Sequence, residues 1–427
     1  MTMPPENKYS MRILVNRTDN QGINFDNRSS TVGVVCRIFL PLAFAYLLSY
    51  FYRVVNAAIA DDLVRDYDLT ASSLGLLTAA YLLAFAVMQV PLGLLIDRFG
   101  VRRVQACNLV IAAAGAFLFA RAGGLEALIV ARAMIGAGVA VCLMAGFTML
   151  TLALPPRQVP AAMGLLMAFG GLGAILAGAP VEAAVEAVGW RILFDILAAL
   201  TLFAALAILV VLPEHRAARR ESWRDLIAGL ARIYRSRLFW RMAPLAVLTI
   251  GTGFALQGLW AGPWLADVGG LDPYAVGWHL SAMAAGLLLG STACGPIVAL
   301  GDRLGLAQKT VVGGLAVLFL IVVAVLAAGA ADYALALWVV FGFLMNPLAL
   351  SYNVLSQTFD STMAGRVYTG INVLVIAGSF VIQVAVGWIL DVVGRTEGQH
   401  YDPLGYAIGF GLIVGFGAIA TVWYWSD

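Results

Sequence analysis

Gly93-Leu94-Leu95-Ile96-Asp97-Arg98-Phe99-Gly100-Val101-Arg102-Arg103 follows one apolar run, and a shortened copy, Asp302-Arg303-Leu304-Gly305, follows another in the second half of the chain. Each copy puts a carboxylate, an arginine and a turn glycine where an apolar stretch ends. The recurrence points to an internal repeat. Working outward with a ruler of ~20 apolar residues per bilayer crossing, the chain divides into twelve segments: 36–60, 71–94, 101–121, 125–152, 158–183, 190–212, 242–264, 273–299, 309–330, 333–357, 366–391 and 403–425. The composition agrees, since 62% of the 427 residues are hydrophobic and only 12% are charged, against roughly 25% charged in soluble domains. The 45 glycines suit helices that approach closely in lipid. The expected fold is therefore an all-α integral membrane protein with twelve transmembrane helices in two pseudo-symmetric six-helix halves.

Charge placement sets the expected orientation. The stretch 213–241 holds Arg216, Arg219, Arg220, Arg224, Arg232, Arg235, Arg237 and Arg241 against Glu214, Glu221 and Asp225. Asp61, Asp62, Asp66 and Asp68 lie in the loop opposite, with Arg65. The chain thus reads as an N-terminal cytoplasmic tail (1–35), a first half (36–212), a basic cytoplasmic linker (213–241) and a second half (242–427), with both termini cytoplasmic. The tail lacks the ordered regions of a cleaved signal peptide. A net charge of +2 does not suggest nucleic acid. Cys36, Cys107, Cys142 and Cys294 form no close-spaced motif and read as small buried thiols.

The segment around Asp97 resembles the signature loop between the second and third helices of the major facilitator superfamily. Gly93 is expected to let helices pack closely, Gly100 to make the turn, and Arg102 and Arg103 to hold the loop at the cytoplasmic surface. The second copy departs from the pattern, with Ala307-Gln308-Lys309 where more basic residues are usual. Arg132-Ala133-Met134-Ile135-Gly136 looks like the family's fourth-helix element, and Gly189-Trp190-Arg191 with Phe194 like the start of its sixth helix. The resemblance covers the chain from about residue 36 onward. It implies a rocker-switch secondary transporter, symporter or antiporter, driven by a gradient. Gly93, Asp97, Arg98, Gly100, Arg102, Arg103, Arg132, Gly136, Asp302, Arg303 and Gly305 would then serve gating.

In such a fold, as the resemblance implies, helices 1, 4, 7 and 10 with 2, 5, 8 and 11 line the cavity. Polar groups inside those segments are costly and are therefore candidates for substrate contact: Tyr50, Arg53, Asn56, Tyr81, Gln89, Gln257, Trp260, His279, Asn346, Asn353, Asn372 and Gln383. Arg53 offers a cationic fork to a carboxylate or phosphate; the alternative is a snorkelling residue or a partner for Asp61 or Asp62. Any of the others alone serves equally well as helix–helix glue. No Asp or Glu lies at the centre of segments 1, 4, 7 or 10. The resemblance associates such carboxylates with proton-coupled sugar carriers and drug exporters, so an organic or inorganic anion is the expected cargo. A drug or siderophore exporter, a copper(I) importer and a non-transporting sensor are the alternatives. His279 and Met283 share a helix face and are soft donors, which makes them the weak metal candidates; His279 is also a candidate proton carrier. No nucleophile–base pair or carboxylate pair suggests an enzyme, and no cofactor is expected. The expected partners are a small-molecule substrate, the lipid bilayer and a coupling ion such as H+, with one chain forming the pathway as a monomer in a prokaryotic inner membrane.

Overall fold

A computed structural model of the chain describes residues 35–155, 158–214, 223–356, 359, 364–396 and 400–426. Twelve apolar helical stretches run through it: α1 (Arg37–Ala57), α2 (Ala71–Phe99), α3 (Val101–Ala120), α4 (Leu125–Ala153), α5 (Val159–Leu176), α6 (Ala179–Val211), α7 (Arg237–Asp267), α8 (Pro273–Arg303), α9 (Gln308–Ala327), α10 (Ala331–Ser356), α11 (Ala364–Val393) and α12 (Pro403–Trp425). Eleven are long and apolar enough to cross a membrane, and α5 is the shorter twelfth. Residues 1–34 of the expected tail lie outside the described residues, as do Arg216, Arg219, Arg220 and Glu221 of the basic stretch.

Local chemistry sets the boundaries. Thr70 caps α2 by accepting the Ser73 N–H at 3.2 Å, and Asp272 caps α8 by accepting from Ala275 at 2.9 Å, with Pro273 next in the chain. These side chains satisfy donors that a helix start leaves unpaired. Gly100 (φ 82°) separates α2 from α3, and Gly305 (φ 67°) follows α8, so both repeat glycines make left-handed turns.

The fifth segment departs from expectation. The predicted run 158–183 is broken: α5 stops at Leu176, Gly178 takes φ −98° and ψ −116°, and helix resumes at Ala179 with Pro180 in its first turn. The run Ala179–Val211 is itself divided at Gly189 (φ 80°, ψ 155°). The Gly189 break coincides with the predicted boundary before residue 190, whereas the Gly178 break sits among apolar residues, so hydropathy alone does not register it.

Each half has an aromatic centre. Phe119 and Phe194 stack at 4.3 Å beside Trp190 in the first half, and Trp338 meets Trp264 and Phe341 edge-on at 5.7 and 5.2 Å in the second. The halves meet along α2 against α11 and α5 against α8, close to the end remote from the linker. A Cβ on Gly75 would stand 2.9 Å from the Gln383 carbonyl, and one on Gly387 would meet Ala71. Only glycine, with no Cβ, allows backbones this near. The Ser281 hydroxyl accepts from Ala179 N–H and donates to the Ile175 carbonyl, both at 2.9 Å, filling the α5–α6 break from the opposite half.

Candidate functional site

Arg53 lies in the last turns of α1, and its guanidinium carbon sits 4.8 Å from the ring centre of Tyr50, 5.0 Å from that of Phe85 on α2, and 5.0 Å from that of Phe254 on α7. A cation over aromatic faces gains about 2 kcal/mol when desolvated. That is less than a paired carboxylate supplies. No ion pair to Arg53 occurs among the described residues, and its Nε is buried without a hydrogen bond. Asp62, one partner foreseen for it, pairs with Arg65 instead. The cradle uses both halves, because Phe254 belongs to α7. Two π-helical turns, Val247–Gly251 and Leu256–Trp260, flank Phe254; such turns re-aim side chains and recur at functional sites.

The structure gathers three of the foreseen residues here: Tyr50, Arg53 and Tyr81. The Tyr81 hydroxyl donates to the Ser49 carbonyl at 3.1 Å. Phe85 and Phe254 were not foreseen, because nothing in a linear sequence tells a cradle phenylalanine from a packing one. A second group closes the bundle at the remote end. Trp260 donates to the Gln383 carbonyl at 3.0 Å, and Gln383 donates to the Ala255 carbonyl at 3.3 Å. The side-chain oxygens of Gln257 and Gln383 are buried with no partner, and Gln257 shares a small void with Met283.

Other foreseen residues stand apart. Asn56 donates to Thr78 at 3.0 Å and Gln89 to the Ala140 carbonyl at 3.3 Å, both joining helices of the first half. Asn346 donates to the Leu287 carbonyl at 2.9 Å and to Ser291, joining α10 to α8. Asn372 accepts from Tyr352 at 3.4 Å. The His279 ring contacts the carbonyl of Ala275 on its own helix at 2.7 Å. The side chain of Asn353 lies outside the described residues.

Arg132 is fully buried, donates to the Tyr52 carbonyl at 3.0 Å, and lies 5.0 Å from the Tyr81 ring centre. Gly136, one turn on, lets α4 touch α2, since a Cβ there would collide with the Tyr81 carbonyl. Arg102 and Arg103 both reach Glu214, at 3.1 and 2.7 Å, tying the α2–α3 turn to the end of α6. Arg98 lies against Phe99, and Asp302 and Arg303 are exposed at the end of α8. Two expectations need correction. A Cβ on Gly93 would meet nothing within 4 Å, so the close packing expected there is not made. Cys107 is exposed and not a buried thiol, because its face of α3 points outward.

The twelve-helix arrangement with paired halves and an arginine at their junction defines a membrane-carrier architecture. The family model of the Major Facilitator Superfamily matches residues 42–375, and the chain belongs to that superfamily. A probable sulfoacetate transporter of Cupriavidus necator is 30% identical over 176 residues, which are 41% of this chain and 39% of that protein. The hexuronate transporter of Escherichia coli is 27% identical over 214 residues, 46% and 50% of the two chains. The chain thus matches no more than half the length of these two curated relatives. Among solved structures, the nucleoside transporter NupG superposes with a TM-score of 0.72 at 13% identity over 91% of this chain and 100% of that one. A bacterial homologue of the human lysosomal transporter Spinster gives 0.70 at 17%, over 92% and 97%.

Proposed function

We propose that the protein is a secondary transporter that carries a small organic anion, a carboxylate or sulfonate, between its two halves by alternating access. One observation carries this reading: Arg53 stands at the junction of the halves, cradled by aromatic rings, with no carboxylate partner among the described residues. A cation held this way at membrane depth is costly, and a bound anion supplies the missing charge. A planar guanidinium binds carboxylate and sulfonate oxygens two at a time. The names of two partial relatives, a sulfoacetate and a hexuronate transporter, support the same class. On this reading the first half spans 36–212, the linker 213–241 and the second half 242–427. The linker and both termini are cytoplasmic in a bacterial inner membrane, and one chain forms the pathway, with a proton or another ion gradient as the drive.

The test is a thermal-shift panel on purified protein with sulfoacetate, glucuronate, phosphate, xylose, a nucleoside, a lipophilic cation and copper(I). A ligand at ~100 times its Kd stabilises the native state by about 2.7 kcal/mol. The expected result is a rise in Tm with one anion class, lost in Arg53→Ala and reduced in Arg53→Lys, and uptake of that anion into proteoliposomes. If neutral or cationic solutes stabilise wild type and Arg53→Ala equally, the anion assignment fails. Binding without uptake sinks transport and leaves a sensor.

A further inference from the structure

A second cationic site lies in the second half, at the end where the linker joins. A cavity of about 450 Å³ opens between the first turns of α7 and α9 and the last turns of α10 and α12. Arg241 and Lys309 line it with Gln308 and Tyr424, and Leu238 and Met242 form its apolar wall. None of its described lining residues is acidic, and Lys309 makes no ion pair among the described residues. The Lys309 ammonium rests 5.7 Å from the Tyr424 ring centre. The start of α9 also lacks a side-chain cap, Ala307 standing at that position.

Exposed tryptophans next in sequence to its lining residues place this end of the bundle at a membrane boundary. Trp240, Trp423 and Trp425 are 47%, 56% and 50% exposed, and the indole of Trp423 donates to the Trp240 carbonyl at 3.3 Å. Exposed indoles gather at the headgroup level of a bilayer. Arg232, Arg235 and Arg237 are exposed on the approach to α7. A two-cation cavity with an apolar wall, exposed tryptophans nearby and a basic approach matches an anionic phospholipid: phosphate against Arg241 and Lys309, acyl chains along Leu238. Basic pockets between transmembrane helices are a known mode of headgroup recognition.

We propose that this cavity binds the phosphate headgroup of an anionic phospholipid and so fixes the linker end of α7, α9 and α12 against the membrane surface. This assignment is independent of what Arg53 binds. The test uses the full chain purified in a neutral detergent, with the Arg241→Gln/Lys309→Gln protein beside it. Mixed micelles containing phosphatidylglycerol should raise the Tm of wild type by about 2 °C or more, while phosphatidylcholine should not. Native mass spectrometry should retain at least one more phosphatidylglycerol on wild type than on the double variant. If the double variant does not fold, Lys309→Gln alone, which leaves the α7 side intact, decides by the same two readouts. Equal lipid retention by wild type and variant, or equal stabilisation by phosphatidylcholine, overturns the proposal. Stabilisation by millimolar inorganic phosphate to the same degree also overturns it, because the site then takes the soluble ion.

Discussion

Replacing Asp391 with alanine should loosen the closure of the two halves. The Asp391 carboxylate on α11 accepts the N–H of Ala71 at 2.7 Å and of Ser72 at 2.8 Å, the first two residues of α2. Four residues on, Arg395 donates to the Leu69 carbonyl at 3.0 Å. The second half thus supplies an anionic cap to a helix of the first, and the cap exists only while that end is shut. A charge-assisted hydrogen bond contributes about 1.5–3 kcal/mol. The site is part-buried and water reaches the freed N–H groups, so the lower figure applies, and two such bonds net about 2 kcal/mol after that discount. At 1.4 kcal/mol per tenfold, the shut-to-open ratio should fall about 30-fold. A wild type shut 99 times in 100 would then be open about a quarter of the time. Asparagine keeps a neutral acceptor and should lose about half as much free energy. The assay is pulsed dipolar spectroscopy between spin labels at Glu126 and Tyr333, one on each half, in a background freed of native cysteines. A distance distribution unchanged by Asp391→Ala would refute the reasoning, because the two hydrogen bonds would then carry no share of the closure.

Two further outcomes follow from particular contacts. Gly136→Leu should cost about 3 kcal/mol through overpacking, since even a Cβ collides with the Tyr81 carbonyl; an unchanged Tm in detergent would mean that α2 and α4 do not cross this closely. Asp66 is pushed up by burial, but hydrogen bonds from Trp190 at 3.0 Å and from Arg191 prevail and hold its carboxyl below the ordinary value. Its contribution to stability is therefore present above about pH 4, the unfolded value, and is lost as pH falls through the lower folded value. Asp66→Asn should lower the Tm at pH 7, and the gap from wild type should close below about pH 4; a gap independent of pH would contradict the assignment.

Much of the architecture is legible in the sequence. Bilayer thickness imposes a length on every helix, and the two Asp-Arg-x-Gly copies mark the same turn in each half, which Gly100 and Gly305 make with positive φ. The break at Gly178 leaves no mark in hydropathy because the residues on both sides are equally apolar. The site was less legible. Arg53 stood out because a cation inside an apolar segment demands an explanation. Asn56, Gln89 and Asn346 looked the same by that criterion, yet each spends its amide joining helices within one half. What separates the two groups is direction around the helix and the identity of facing residues three or more helices away, and neither is local to the sequence. Phe254 is the extreme case, since its place beside Arg53 depends on how one half docks on the other.

On the proposed reading, that docking would give the site its leverage over conformation. A ligand shifts an equilibrium only by its difference in affinity for the two states. An anion held solely by α1 and α2 would travel with the first half and favour neither state. Arg53 instead shares its cradle with Phe254 of α7, and α7 also carries Trp260, whose indole holds the Gln383 carbonyl against Gly75 of α2. The ring from the opposite half and the closing contact thus lie within two turns of α7, with the Arg53 charge of α1 against the ring. An anion that draws the guanidinium off the Phe254 face alters the packing of α7 at the level where the halves touch. The irregular turns on either side of Phe254 are where α7 would absorb that change, so on the proposed reading the binding energy of an anion would act on the interface between the halves and not on either half alone.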